Sequence, residues 1–192
     1  MPGSNRRVFG LDTHAGIAVT GLVADGRQLV NRARDEARSY ADSYGSKIVP
    51  NVLANRLSMY MHYFTLHSSL RPFGSTALVA AYDEDLQKPE LYMTEPSGAS
   101  FRYFGCAAGK GAQAAKTELE KVMAKHTDPQ GNVTVTAREA VTELAKMFVF
   151  TPHFSFLGSA GISFIKSCPP PPPPKSQSVH HPRREQRQAI RA

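Results

Sequence analysis

The chain has 192 residues and a formal net charge of +7, with 41% apolar residues, no tryptophan and two cysteines. That length suffices for one medium core. Cys106 and Cys168 stand in unlike settings and form no disulfide framework, which fits a reducing compartment, and the start MPGSNRRVFG lacks the apolar run of a secretory signal. The charge is uneven: from Lys175 to Ala192 five basic residues face Glu185 alone, so +4 of the +7 sits in this tail. The body is left unremarkable, and neither a specific nucleic-acid partner nor an acidic surface is expected for it.

Ala15 to Val23, AGIAVTGLV, is a short apolar run flanked by glycines and reads as a buried strand. Leu29, Val30, Ala33, Ala37, Tyr40, Ala41 and Tyr44 then recur at three and four, the stripe of an amphipathic helix that Gly45 closes. Pro50 suits a first helical turn. The helix it opens carries the stripe Leu53, Leu57, Tyr60, Met61 and Phe64. The motif Arg71-Pro72-Phe73-Gly74 ends that segment, since proline disfavours the helical region for its predecessor and glycine lets the chain reverse.

STALVAAY, Ser75 to Tyr82, is continuously apolar and predicts a strand covered on both faces. ELYMTE and ASFRYFGCA follow as a hairpin. Glu95-Pro96-Ser97-Gly98 between them suits a type I turn, with proline second and glycine fourth, and such a turn can carry a bulge. A third helix is expected over Gly111 to Lys125. A fourth opens at Thr136, with Glu139 reaching back in a capping box, and its stripe runs Ala140, Val141, Leu144, Ala145 and Phe148. The order strand, two helices, three strands, two helices predicts α+β packing rather than alternating βαβ units.

After Phe150 the pattern changes. From Met147 to Ile165 the only ionisable side chain is His153, but Pro152, Gly158, Gly161 and three serines argue against a membrane span. Six prolines, Pro169 to Pro174, favour polyproline II, and the basic stretch beyond them is expected to be disordered. The division is therefore 1–150 for the folded part and 151–192 for the tail. The tail could meet an SH3-type groove or an acidic surface, but a solvated tail is the expectation. The sequon at Asn132 to Thr134 is expected to be fortuitous in a chain without a secretory signal.

No chemistry-bearing set stands out. In FGCAAGKGAQAAK, Gly105 and Gly109 enclose three residues where a phosphate loop needs four before Gly-Lys, and Gly111 stands where a hydroxyl should be. Small residues easing a strand into a helix explain the stretch better. His62 and His67, five apart, point about 140° apart on a helix and cannot share a metal. Cys106 reads as an inert buried thiol. His180 and His181 lack partner spacing, and neither Ser97 nor Ser100 has a His/Asp arrangement. No catalytic, cofactor-binding or metal-ligating residue is expected.

The segments GIAVTGLVADGRQLVNRARDEARSY, ANRLSMYMHYFTLHSSLRPFG, LYMTEPSGASFRYFGCAAGKGAQAAKTELEK and VTELAK together resemble the alpha-ring subunits of the eukaryotic proteasome core particle, alpha type-3 class, over about Gly3 to Phe150. The resemblance implies an N-terminal-nucleophile hydrolase fold, two sheets sandwiched between two helical layers. The Leu29–Tyr44 and Leu53–Phe64 helices would form one layer, facing the neighbouring ring. It further implies a structural motif at Arg71, Pro72, Phe73 and Gly74, and at Pro96, Ser97 and Gly98. The implied role is architectural: seven alpha subunits form a ring that caps the catalytic beta rings and restricts entry of unfolded protein, in ubiquitin-dependent protein catabolism in the cytoplasm and nucleus. Partners would be other alpha subunits and beta subunits.

Catalysis is not implied. The threonine nucleophile of the related beta subunits has no counterpart in Met1-Pro2, and a threonine-type peptidase is the reading disfavoured. The family's first strands, its gate helix and the lysine-bearing segment before Gly3 are absent, and its later strands give way to the proline run. One sheet is therefore expected to be largely missing, so that the remaining sheet exposes apolar surface. A truncated or alternatively spliced product, or an imperfect gene model, is expected rather than an ordinary ring member.

Overall fold

The computed structural model describes residues 7–126 and 136–150. The expectations for the sequon, for Cys168, for His180 and His181, and for the proline and basic stretches lie outside the described residues. Nine elements follow in order: β1 Val8–Asp12, β2 Ala15–Gly21, α1 Val23–Tyr44, α2 Pro50–Leu66, β3 Ser75–Asp83, β4 Lys88–Thr94, β5 Ser100–Tyr103, α3 Ala112–His126 and α4 Ala137–Phe150. The strands make one five-stranded antiparallel sheet in the order β1-β2-β3-β4-β5, with α1 and α2 inserted between β2 and β3.

Because side chains alternate across a strand, register assigns each residue to a face. Phe9, Ile17, Val79, Tyr92 and Arg102 form one cross-strand row, and Val8, Ala18, Leu78, Met93 and Phe101 form the neighbouring row on the other face. The first face carries the core. Ile17 and Val79 are fully buried beneath Leu29, Val30 and Ala33 of α1 and Leu53, Leu57 and Met61 of α2. Each such side chain contributes about 1.5–3 kcal/mol by leaving water, which is why the two helices with the cleanest stripes lie on this face. The second face is only half-buried along β3, where burial alternates strictly. The expectation that β3 is covered on both faces is thereby corrected: α1 and α2 cover one side only, while α3 and α4 pack on each other and neither makes extended contact with any strand.

Other boundaries move for local reasons. α1 begins at Val23 rather than Leu29, and β2 ends at Gly21. β1 is an unanticipated strand. It is five residues long, broken in the middle by Gly10 and irregular in register between Gly10 and Asp12, so its alternation is too brief to register as a pattern. β5 stops at Tyr103, and Phe104 is 71% exposed. Gly45 caps α1 with its N–H donating to the Ala41 carbonyl at 2.8 Å. At α4 the Thr136 N–H donates to Glu139 Oε2 at 3.1 Å and the Glu139 N–H to Thr136 Oγ1 at 3.4 Å, the anticipated capping box. No helix among the described residues is long and apolar enough to cross a membrane.

Candidate functional site

The Arg71–Gly74 motif forms a corner against the start of α1. Arg71 Nη1 and Nη2 donate to Asp25 Oδ2 and Oδ1 at 2.7 and 2.8 Å, and the Gly74 N–H donates to Oδ2 at 2.8 Å. These three bonds, the guanidinium pair foremost, hold the Asp25 carboxyl at about 2. A bidentate guanidinium–carboxylate pair fixes direction as well as distance, so the corner is oriented as well as attached. Phe73 is buried, its ring 4.7 Å from Phe64 and 5.6 Å from Tyr60 by centroid. The Leu22 N–H donates to the Gly74 carbonyl at 2.9 Å. At Gly21, φ is +102°, and a Cβ there would lie 2.2 Å from that same carbonyl oxygen, so only glycine lets the two chain segments approach.

The second motif docks on the middle of α2. The Gly98 N–H donates to the Glu95 carbonyl at 2.9 Å and the Glu95 N–H to the Ala99 carbonyl at 2.9 Å, while Gly98 takes φ +87°. This is the expected turn closed by a bulge with glycine in the left-handed region. The Ser58 hydroxyl donates to the Gly98 carbonyl, and His62 Nδ1 lies 3.2 Å from the Ser97 carbonyl. The structure brings the two motifs to one rim: Gly74 and Pro96 both line a cleft of about 340 Å³ shared with Thr20, Thr76 and Lys110.

The polar residues singled out from the sequence do not converge. His62 is tied to the β4–β5 turn, whereas His67 follows α2 with its ring 4.4 Å from that of Tyr63. Ser97 Oγ accepts the Ala99 N–H at 3.2 Å, and the Ser100 hydroxyl lies 3.1 Å from that of Thr94. Burial pushes the Cys106 thiol up to about 12, which keeps it protonated and unreactive at neutral pH. In the Gly105–Gly111 stretch, Gly105 packs against Leu119 and the Ala112 N–H donates to the Gly109 carbonyl at 3.1 Å. Among the described residues no group of three or more His, Cys, Asp or Glu side chains is placed to hold a metal ion.

What the arrangement offers instead is surface. α2 carries a second apolar stripe on its outer side. Met59 (72% exposed), Tyr63 and Leu66 (65% exposed) fall on it, and Leu70 just beyond the helix continues the line. The spacing of four and three keeps Met59, Tyr63 and Leu66 in register on one side of the helix. Sequence reasoning picked only the buried stripe. The available signal was that α2 has apolar residues on two sides, more than one core can absorb. An exposed apolar stripe on a helix held at its middle by the β4–β5 turn and followed by the Arg71 corner has the character of a contact surface.

Residues 1–153 match the family model for proteasome subunits. The chain is 50% identical over 147 residues to proteasome subunit alpha type-3 of Arabidopsis thaliana, covering 77% of this chain and 55% of the relative. It is 47% identical over 153 residues to the alpha type-3 subunit of Acanthamoeba castellanii, covering 80% and 56%. Identity is 45% over 121 residues with that of Drosophila melanogaster, covering 63% and 47%. The chain thus spans about half the length of the curated relatives it matches, and within that span it belongs to the proteasome subunit family.

Proposed function

We propose that the chain is a non-catalytic structural subunit of the proteasome core particle's alpha ring. In that role it sits among six other alpha subunits above a beta ring, as a structural component of a threonine-type endopeptidase complex that serves ubiquitin-dependent protein degradation in the cytoplasm and nucleus. The observation that carries the reading is the outer stripe of α2, Met59, Tyr63, Leu66 and Leu70, presented on a helix held by the Arg71–Asp25 pair and the Ser58–Gly98 bond. Apolar residues set on a rigid element fit recognition of a permanent neighbour, where little ordering entropy remains to be lost. That the relatives are named proteasome alpha type-3 subunits supports taking that neighbour to be another proteasome subunit.

Density-gradient fractionation of cells expressing the tagged chain tests the reading. Co-sedimentation with assembled core particles is expected, and Met59→Glu together with Leu66→Glu should release it. Recovery of the wild-type chain only in monomeric or aggregated fractions would remove the ring role.

A further inference from the structure

The seam between α1 and α2 carries more positive charge than the fold itself uses. Gln28, Arg32 and Glu36 follow one another at intervals of four along α1. Arg32 Nη2 donates to Glu36 Oε1, and Arg56 Nη1, reaching over from α2, donates to Oε2 at 2.8 Å. Two guanidiniums thus share one carboxylate, and the Glu36 side chain is only 14% exposed. Aromatic rings back both arginines. The guanidinium carbon of Arg32 lies 5.0 Å from the centre of the Tyr60 ring, and that of Arg56 lies 5.5 Å from the centre of the Tyr40 ring, both within cation–π range. No further acid answers the surplus: α2 contains no aspartate or glutamate, and Asp35 of α1 points about 100° away from Glu36, beside Arg38 at 4.0 Å.

Tying two helices together needs one guanidinium, because a carboxylate accepts a bidentate pair from a single arginine. The second leaves donors to spare: a guanidinium carries five N–H groups, each arginine here spends one nitrogen on Glu36, and the Arg32 side chain is 45% exposed. Arg56 also stands in line with the contact stripe. Arg56, Met59, Tyr63 and Leu66 are spaced three, four and three along α2, which places them on one side of the helix. A neighbour that covers the stripe therefore covers this end of the seam and takes a net positive group out of water, which is costly unless an opposite charge meets it. We infer that the neighbouring subunit presents an aspartate or glutamate side chain to Arg32 and Arg56, so that two guanidiniums and two carboxylates balance across the contact. Guanidiniums already held by Glu36 and by ring faces lose little freedom on meeting it, and a charge matched at one end of an apolar stripe fixes the register along it. The inference rests on the alpha-ring reading and deepens it, naming the chemistry of the surface that meets α2.

Carbodiimide coupling, which joins amines to carboxylates in contact, is the test. Core particles purified from cells expressing the tagged full chain with Arg32→Lys are expected to yield a cross-linked peptide between position 32 and an aspartate or glutamate of another subunit, located by mass spectrometry, beside an internal link to Glu36. Arg32→Glu should lower incorporation by about tenfold or more with an unchanged far-UV circular dichroism spectrum of the purified chain, whereas Arg32→Lys should incorporate as the wild type does. Changing the identified acid to lysine should rescue Arg32→Glu. Particles that contain the chain but give only the internal link, or that accept Arg32→Glu as readily as the wild type, would overturn the inference and leave the ring reading standing. Absence of the wild-type chain from core particles would overturn both.

Discussion

The two helix pairs of this molecule are built on different terms. α1 and α2 bury leucines and alanines against the sheet, and each is tied to a distant loop: α1 by Asp25 to the Arg71 corner, α2 by Ser58 to the β4–β5 turn. In α3, Ala115 is the one buried residue, and α4 is held at its start by its own capping box and elsewhere by α3. A stripe of spaced apolar residues therefore suffices to make a helix but not to anchor it. Anchoring takes a covered surface on the other side.

That contrast can be broken at several levels. The largest effect is expected at Leu57, fully buried in α2: Leu57→Ala should cost about 2–5 kcal/mol by chemical denaturation, as transfer and cavity losses add. Asp25→Ala should cost about 1.5–3 kcal/mol, because it removes charge-assisted bonds and leaves the Gly74 N–H unpaired. The same carboxyl gives a pH signature. Its folded value, about 2, lies below the ordinary 3.8, so its stabilisation is complete above about pH 4 and fades as pH falls toward 2. The stability gap between wild type and Asp25→Ala should narrow over that window, and a constant gap would assign the loss to packing instead. Thr136→Ala should cost about 1 kcal/mol, visible as faster amide exchange in α4 and not in α1 or α2. Least of all, Met59→Glu should change stability by no more than about 0.5 kcal/mol while weakening incorporation into core particles, which the further change Leu66→Glu should abolish.

How far the sequence could be read follows from the range of each cause. The stripe of α2, that of α1 from Leu29 to Tyr40, the cap at Gly45, the Glu95–Gly98 turn and the Thr136–Glu139 box are written within a few residues and stand where expected, whereas Ala41 and Tyr44, at the end of the α1 stripe, are exposed. The Asp25–Arg71 pair joins residues 46 apart, and nothing local marks Asp25 out from other acids on helices. β1 escaped notice because Gly10 interrupts a five-residue strand whose apolar members matter only once α1 lies over them. β3 was misjudged for a related reason: an apolar run states that both sides dislike water, not that both are covered.

The meeting of Gly21 with the Gly74 carbonyl has a practical consequence for anyone randomising this chain. A methyl group at position 21 would force apart the end of β2 and the start of β3, and with them the peptide that receives Asp25 and the first turn of α1. Mutational tolerance should therefore drop to nothing at that residue while neighbours such as Leu22 accept many replacements. In a deep mutational scan the position would stand out as a solitary blank column.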